Sequence, residues 1–551
     1  MARRSKIQLG LAFGEGAKGE ARSARAGGIE ADAASAADQS PAAFAGPCME
    51  AIVERDNLRK ALAQVQRNKG AAGIDGMSVE ALSAHLNDHW PTIRARLLDG
   101  SYAPQPVRRV EIPKPSGGVR ALGVPTVLDR FIQQAALQVL QAHWDGTFGA
   151  SSYGFRPGRS AHQAVSAAQA LIASGRRVVA DLDIEKFFDR VNHDILMGLV
   201  AKRVADPRIL KLIRGFLTCG ALMDGLVGPT DEGTPQGGPL SPLLSNLMLD
   251  VLDKELERRG HRFVRYADDC NIYVCSQRAG ERVMAGVERF LERRLKLKVN
   301  RAKSAVAPPS RRKFLGFSFT GGAAPKRRIA PQALARFKEP VRKATKRTQG
   351  TSLEKIVEDL SRYLIGWRGH FGFCETPSAL RVLDRWVRRR LRSIVWKQWK
   401  RGTTRFAELR RRGVGHNLAA QTAGSAHGPW RISNSPALAI ALPNDLFRKS
   451  LRLASLSAGE SRIINRTAVY GPVRTVVWEG RSRKAPPYPD LGPSQAARRL
   501  KPPCAAPLRR GRVESPSLRR SLRLALRACA RDRLSRWDRG RDRSPASPAS
   551  S

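Results

Sequence analysis

Apolar positions recur every three to four residues from Met49, at Ile52, Val53, Leu58, Leu62 and Val65, which is the spacing of one helix face. Turn chemistry in Gly70-Ala-Ala-Gly-Ile-Asp-Gly76 interrupts it, and Ser78 is placed to cap a next helix carrying Leu82 and Leu86. From about 101 to 325 the pattern alternates between strand and helix periods, which predicts a mixed α/β body. Val107–Ile112 and Arg120–Val124 read as strands joined by Pro113-Lys-Pro-Ser-Gly-Gly118, and Val178–Leu182 as a short buried strand. Phe263–Tyr266 and Asn271–Val274 read as a hairpin around Ala267-Asp268-Asp269, and Phe314–Phe319 as one further strand. Between about 331 and 400 the period is helical, first through Leu353, Ile356, Leu360, Leu364 and Trp367. After Pro377 it resumes through Leu380, Leu383, Val387, Leu391 and Ile394. Beyond about 445 the periodicity decays into Arg-, Pro- and Ser-rich sequence, and residues 11–48 are Ala-, Gly- and Ser-rich; both ends read as unstructured.

Charge changes the picture. The 551 residues carry 97 Lys and Arg against 48 Asp and Glu, a net +49 that repels itself unless a polyanion binds it. Nucleic acid is the expected partner, because neutralising phosphates with Lys and Arg drives that binding. Seven scattered cysteines make neither a disulfide framework nor a C-x-x-C zinc pair, so a reducing cytosol is expected. No apolar run reaches the length of a membrane span, and no membrane association is expected. One face of the helix after Pro377 gathers Arg381, Arg385, Arg388, Arg389 and Arg392, a candidate phosphate-binding stripe.

Two carboxylate clusters carry the candidate chemistry. Asp268 and Asp269 would sit at a hairpin tip, where each raises the other's pKa unless a cation is present. Asp181 and Asp183 lie at the end of the Val178–Leu182 strand, where ligands and metals are commonly held in such sheets. Hard divalent ions take carboxylate oxygens, and two ions bridged by carboxylates are a standard device for phosphoryl transfer. Spacing alone does not bring the two clusters together.

Tyr266-Ala267-Asp268-Asp269 resembles the active-site box of reverse transcriptases, and six further blocks follow that family's order. They are Arg109–Val124, Ser152–Arg159, the strand with Asp183, Gly233-Thr-Pro-Gln-Gly-Gly-Pro-Leu-Ser-Pro242, Leu295–Ala305 and Phe314-Leu-Gly-Phe317. Asn68–Gly76 resembles the N-terminal block of group II intron-encoded proteins. Tyr363–Phe373 and Trp386–Trp399 resemble their maturase domain, so the resemblance covers roughly 50–443. It implies an α+β right-hand polymerase fold of fingers and palm, with an α-helical thumb. The expected divisions are a leader at 1–48, an RNA-binding extension at 49–100, fingers and palm at 101–325, the thumb at 326–443 and a basic tail at 444–551. Nothing resembles the endonuclease that some of these proteins carry.

The resemblance further implies an RNA-directed DNA polymerase that binds a group II intron RNA, assists its splicing and copies it during intron mobility. The alternatives are a splicing-only maturase, or a reverse transcriptase recruited to phage defence or CRISPR. Carried over by position, Asp183, Asp268 and Asp269 would hold two Mg²⁺ ions, with Asp183 preferred over Asp181. Phe188 would lie beneath the incoming sugar, Gln236 would sit in the turn that approaches the nucleotide, and Lys114 and Arg120 would grip the triphosphate. Lys303 would protonate the leaving pyrophosphate. Partners would be intron RNA, target DNA and dNTPs, in a bacterial cytoplasmic ribonucleoprotein. No oligomeric state is implied.

Overall fold

The computed structural model describes residues 46–113, 119–223, 226–348 and 350–457, all within one compact unit. Lys114 lies outside them, as do the side chain of Arg120, the leader up to 45 and the tail from 458. Among the described residues no helix is long and apolar enough to cross a membrane.

The N-terminal periodicity forms α1 (Met49–Ile52) and α2 (Arg55–Asn68), broken where the Glu54 carboxylate accepts from the amides of Asp56 and Asn57 and caps α2. The next helix, α3 (Leu82–Leu98), starts later than its expected cap. Ser78 instead turns the chain ahead of it, its hydroxyl accepting from the Ala81 amide at 3.3 Å.

The fingers are built on β1 (Val107–Pro113) and β2 (Val119–Val124), an antiparallel pair, followed by α4 (Val127–Trp144) and α5 (Ala161–Ala173). After β3 (Val178–Leu182), α6 (His193–Ala201) and α7 (Pro207–Thr218), the strands β4 (Ala221–Met223) and β5 (Leu226–Gly228) extend the first sheet to the order β2-β1-β4-β5. The palm adds α8 (Ser241–Arg258), β6 (Arg262–Tyr266), β7 (Asp269–Val274), α9 (Gln277–Phe290) and β8 (Ala305–Ala307). Its sheet runs β6-β7-β3-β8 and every pair is antiparallel.

Register decides what this sheet presents. Val179 pairs with Tyr273 and Asp181 with Asn271, so the next step sets Asp183 across from Asp269. Because side chains alternate faces, Val179, Asp181 and Asp183 share one face with Tyr273, Asn271 and Asp269. That face is apolar at one end, where Val179, Val264 and Tyr273 pack with Ala164, Val165 and Ala168 of α5. At its other end it is lined by carboxylates. The opposite face, through Ala180, Leu182, Phe263, Cys270 and Ile272, joins the main core with α8 and α9.

The expected strand at 314–319 is a tight turn followed by a short strand, β9 (Phe317–Phe319). Phe314 and Phe317 exchange backbone hydrogen bonds at 2.8 and 2.9 Å, and Leu315 and Gly316 between them have φ of 51° and 83°. Two successive positive φ values make a primed turn, which no continuous strand accommodates. β10 (Arg327–Ile329) pairs with β9.

The thumb comprises α10 (Pro331–Ala344), α11 (Leu353–Phe371), α12 (Pro377–Gln398), α13 (Gly402–Arg411), α14 (His416–Ala423), α15 (Pro429–Ile432) and α16 (Pro436–Ala441). It does not stop at the expected boundary of 443. Phe447, Leu453 and Leu456 are buried in its core, and Asp384 of α12 anchors the last turn. The Asp384 carboxylate accepts from the amides of Leu456 and Ser457 and from the hydroxyls of Ser455 and Ser457, at 2.6–3.0 Å. Residues 444–457 therefore belong to the thumb, because their apolar residues find the space that α11 and α12 leave.

Candidate active site

The hairpin tip is the centre of the site. Tyr266 pairs with Asp269, leaving Ala267 and Asp268 as a two-residue turn, and Ala267 has φ of 57°. An L-residue in that region is strained by roughly 1–2 kcal/mol and persists only where its surroundings hold it. Two features hold it here. Arg265, fully buried, donates through Nη1 to the Ala267 carbonyl at 2.9 Å. Gly154 packs so tightly that an added Cβ would stand 2.2 Å from the Ala267 nitrogen.

Arg265 is the functional residue that sequence reasoning missed. Its Nε and Nη2 fork onto Asp253 of α8 at 2.8 and 2.6 Å, Nη2 also donates to Ser152 Oγ at 2.8 Å, and Nη1 to Asn246 Oδ1 at 3.1 Å. Asn246 Nδ2 in turn donates to the Gly154 carbonyl at 2.8 Å. One guanidinium thus ties α8, the 152–154 segment and the turn together beneath the carboxylates. The available signal was strand alternation, which puts Arg265 on the same face as core residue Phe263.

Above that network the acids gather. The Asp269 carboxyl is pushed up to about 7, first by the protein crowding around it and then by the charges of Asp268, Asp181 and Asp183. Asp181 is already engaged: Arg312 donates to it from Nε and Nη2 at 2.8 and 2.6 Å. Asp183 has Lys303 Nζ at 3.6 Å, while its backbone is fixed by Ser304 Oγ at 3.0 Å and the Asn300 amide at 2.8 Å. In the β7 row, two residues from Asp269, the buried Asn271 Oδ1 has no hydrogen-bond partner. Acceptors are in surplus, and all are hard oxygens, which suits a divalent cation of the Mg²⁺ kind. Among the described residues no three His, Cys, Asp or Glu side chains already converge on one metal position.

The remaining expected residues divide. Phe188 lies in the 3₁₀ turn Phe187–Asp189 after β3, half-buried, with its ring 5.3 Å from that of Phe187. Gln236 Nε2 donates to Asp189 Oδ1 at 2.8 Å, so these two lie side by side. Gly237, at φ 149°, brings its loop against β2, where a Cβ would stand 2.5 Å from the Gly123 carbonyl oxygen. On α12, Arg381 and Arg385 are exposed and Arg388 is half-buried. Arg389 and Arg392 do not join an open stripe. Arg389 lies over Trp430, and Arg392 donates to the Leu442 carbonyl at 2.9 Å and to Asn444 Oδ1 at 3.2 Å. Their guanidinia are drawn in because α15 and the chain after α16 pack on that side of the helix.

Gly154→Ala tests how closely the tip is held. The methyl group has to displace the Ala267 backbone, and a misplacement of about 1 Å can cost about a hundredfold in rate. We expect primer extension to fall by that order and the melting temperature to fall as well, since a forced backbone shift of this kind costs about 1–3 kcal/mol; unaltered synthesis would show that the contact does not position the acids.

Residues 112–319 match the reverse transcriptase (RNA-dependent DNA polymerase) family and residues 334–413 the group II intron maturase-specific domain. The chain carries a reverse transcriptase domain followed by a group II intron maturase-specific domain. Over 215 residues it is 38% identical to protein YkfC of Escherichia coli (strain K12), covering 38% of this chain and 56% of that protein. Over 188 residues it is 39% identical to the group II intron-encoded protein LtrA of Lactococcus lactis subsp. cremoris, covering 34% of this chain and 31% of that one. The chain thus spans little more than half of the first relative and about a third of the second. Among solved structures, a chain of a partial Cas6-RT-Cas1–Cas2 complex is 26% identical, covering 44% of this chain and 42% of that one with a TM-score of 0.30.

Proposed function

We propose that this chain is an RNA-directed DNA polymerase that binds a group II intron RNA, assists its splicing and copies it into DNA. The observation that carries the reading is the strand register that sets Asp183 across from Asp269 beside Asp268, in a chain that also has a maturase-specific domain. Asp183, Asp268 and Asp269 would hold two Mg²⁺ ions, with Asp181 kept for structure by Arg312. Bound there, the ions would favour loss of the primer hydroxyl proton and neutralise the leaving pyrophosphate. Arg265 and Gly154 hold the turn that presents two of the three acids. Phe188 and Gln236 form the floor on which the incoming dNTP rests, the ring beneath the sugar and the amide fixed by Asp189. Lys114 and Arg120, by the resemblance alone, would grip the triphosphate as point charge and bidentate donor. Lys303, whose Nζ stands 3.6 Å from Asp183, would protonate the leaving pyrophosphate.

The partner on the thumb is RNA. Arg381, Arg385 and Arg388 meet its phosphates, and binding stabilises whichever intron conformation it prefers, so splicing assistance needs no catalytic residue of its own. Replacing those three arginines with Ala should weaken RNA binding and flatten its dependence on log salt by roughly 0.7–0.9 for each phosphate no longer neutralised. An unchanged slope in a filter-binding series would assign the stripe to solvent.

The direct test is Mg²⁺-dependent extension of a DNA primer on an RNA template, beside splicing of a group II intron precursor with and without the protein. We expect both synthesis and faster splicing. Faster splicing without synthesis by folded protein would overturn the polymerase half of the reading, and synthesis without any effect on splicing would overturn the maturase half.

A further inference from the structure

The chain beyond the maturase-domain match builds a feature that the polymerase site does not use. α15 packs on α12 and carries Trp430, which keeps 38% of its surface exposed. It is the one aromatic among the exposed large apolar side chains of the described residues. Arg389 lies over the indole, 4.1 Å from the ring centre. The arginine is itself pinned, Nη2 donating to the Trp430 carbonyl at 3.0 Å and Nε to Ser433 Oγ at 3.3 Å. The ring is therefore braced before any ligand arrives, which lowers the ordering cost of binding.

Charge around this plate is one-sided. Between Thr376 and Asn444 the sequence holds only two acids, Asp384 and Glu408. Asp384 is consumed by Ser455, Leu456 and Ser457, and Glu408 by Arg411 and Arg412. Arg385 and Arg388 lead up to Arg389 on α12, and the exposed Arg431 follows Trp430. An exposed indole flanked along the chain by cations, with both acids of this stretch already engaged, fits the π-face of a base and its neighbouring phosphates. A duplex hides its bases in the stack and has no use for the ring.

We propose that Trp430 is a stacking platform for an unpaired nucleobase of a single-stranded nucleic acid, braced by Arg389, with Arg385, Arg388 and Arg431 on the flanking phosphates. It rests on the reading of this chain as a nucleic-acid binder and adds a site made of thumb residues alone. The test is fluorescence anisotropy with the full chain and labelled strands of about a dozen nucleotides, matching single-strand site sizes. The probes are an unstructured RNA, a DNA of the same sequence and an RNA duplex of equal length, each titrated across a salt series.

Trp430→Ala should lower affinity for single strands by about tenfold, with an unchanged salt slope and unchanged duplex binding. Trp430→Phe should retain most of the affinity. The RNA and DNA arms decide between the two strand types, since the ring supports either and a 2′-hydroxyl contact would favour RNA. Single-strand affinity unaltered in Trp430→Ala overturns the proposal. Equal loss on single strands and duplex also overturns it, because that marks a disturbed thumb. Wild type failing to bind any probe would overturn this site together with the nucleic-acid reading itself.

Discussion

Asp268→Asn should reduce DNA synthesis by at least about a hundred- to a thousandfold while leaving RNA binding within about twofold of wild type. The magnitude is that of removing one preorganised charge-stabilising group from an active site. The substitution suits the question because Asn is as acceptable as Asp in a turn, so the hairpin keeps its shape. Asp268 is also one of the charges that raise the Asp269 carboxyl, so the variant removes repulsion, and its melting temperature should be equal or slightly higher. Primer extension, RNA affinity and thermal unfolding on one preparation separate the possibilities. Undiminished synthesis would remove Asp268 from the reaction. Parallel loss of synthesis, RNA binding and stability would mean that the acid serves the fold.

The sequence was most legible where alternation and turn chemistry agree. Val178–Leu182 forms its strand with the predicted bounds, and the Asp-Asp hairpin lies where two apolar runs flank a turn. Register then follows, because a slip of one residue would turn the carboxylates of β3 into the core. What linear sequence hides is which charges go inside. Arg265 reads as one cation among 97 Lys and Arg, and only its partner Asp253, twelve residues earlier on another element, makes its burial tolerable. Arg389 and Arg392 fall on the same helix stripe as Arg385 and Arg388. Nothing local says that α15 and the segment after α16 will cover that edge. The apolar run Phe314–Phe319 satisfies a strand pattern, but Leu315 takes a positive φ that its side chain disfavours. The Arg-rich composition after 445 likewise masks Phe447, Leu453 and Leu456, which join the thumb core where the Leu456 amide meets Asp384, far earlier in the chain on α12.

Arg265 offers the sharper test of how the site is held. Arg265→Lys keeps the buried charge beside Asp253 but gives up the planar fork, so one ammonium cannot serve Asp253, Ser152, Asn246 and the Ala267 carbonyl together. Freed of that last bond, Ala267 relaxes from its left-handed conformation and the acids that follow it move. Synthesis should fall by about a hundredfold, with RNA binding retained. Arg265→Met leaves Asp253 as an unpaired buried charge and should cost about 3–5 kcal/mol of stability, seen as a large fall in melting temperature. The double variant Arg265→Met, Asp253→Leu removes both charges, and replacing a buried ion pair by apolar residues of similar volume is often neutral for stability. Folding should therefore return in the double variant while synthesis stays low, because nothing then grips the Ala267 carbonyl. Recovery of synthesis along with stability would reduce the guanidinium to a packing element; recovery of stability alone makes it the residue that positions the catalytic turn.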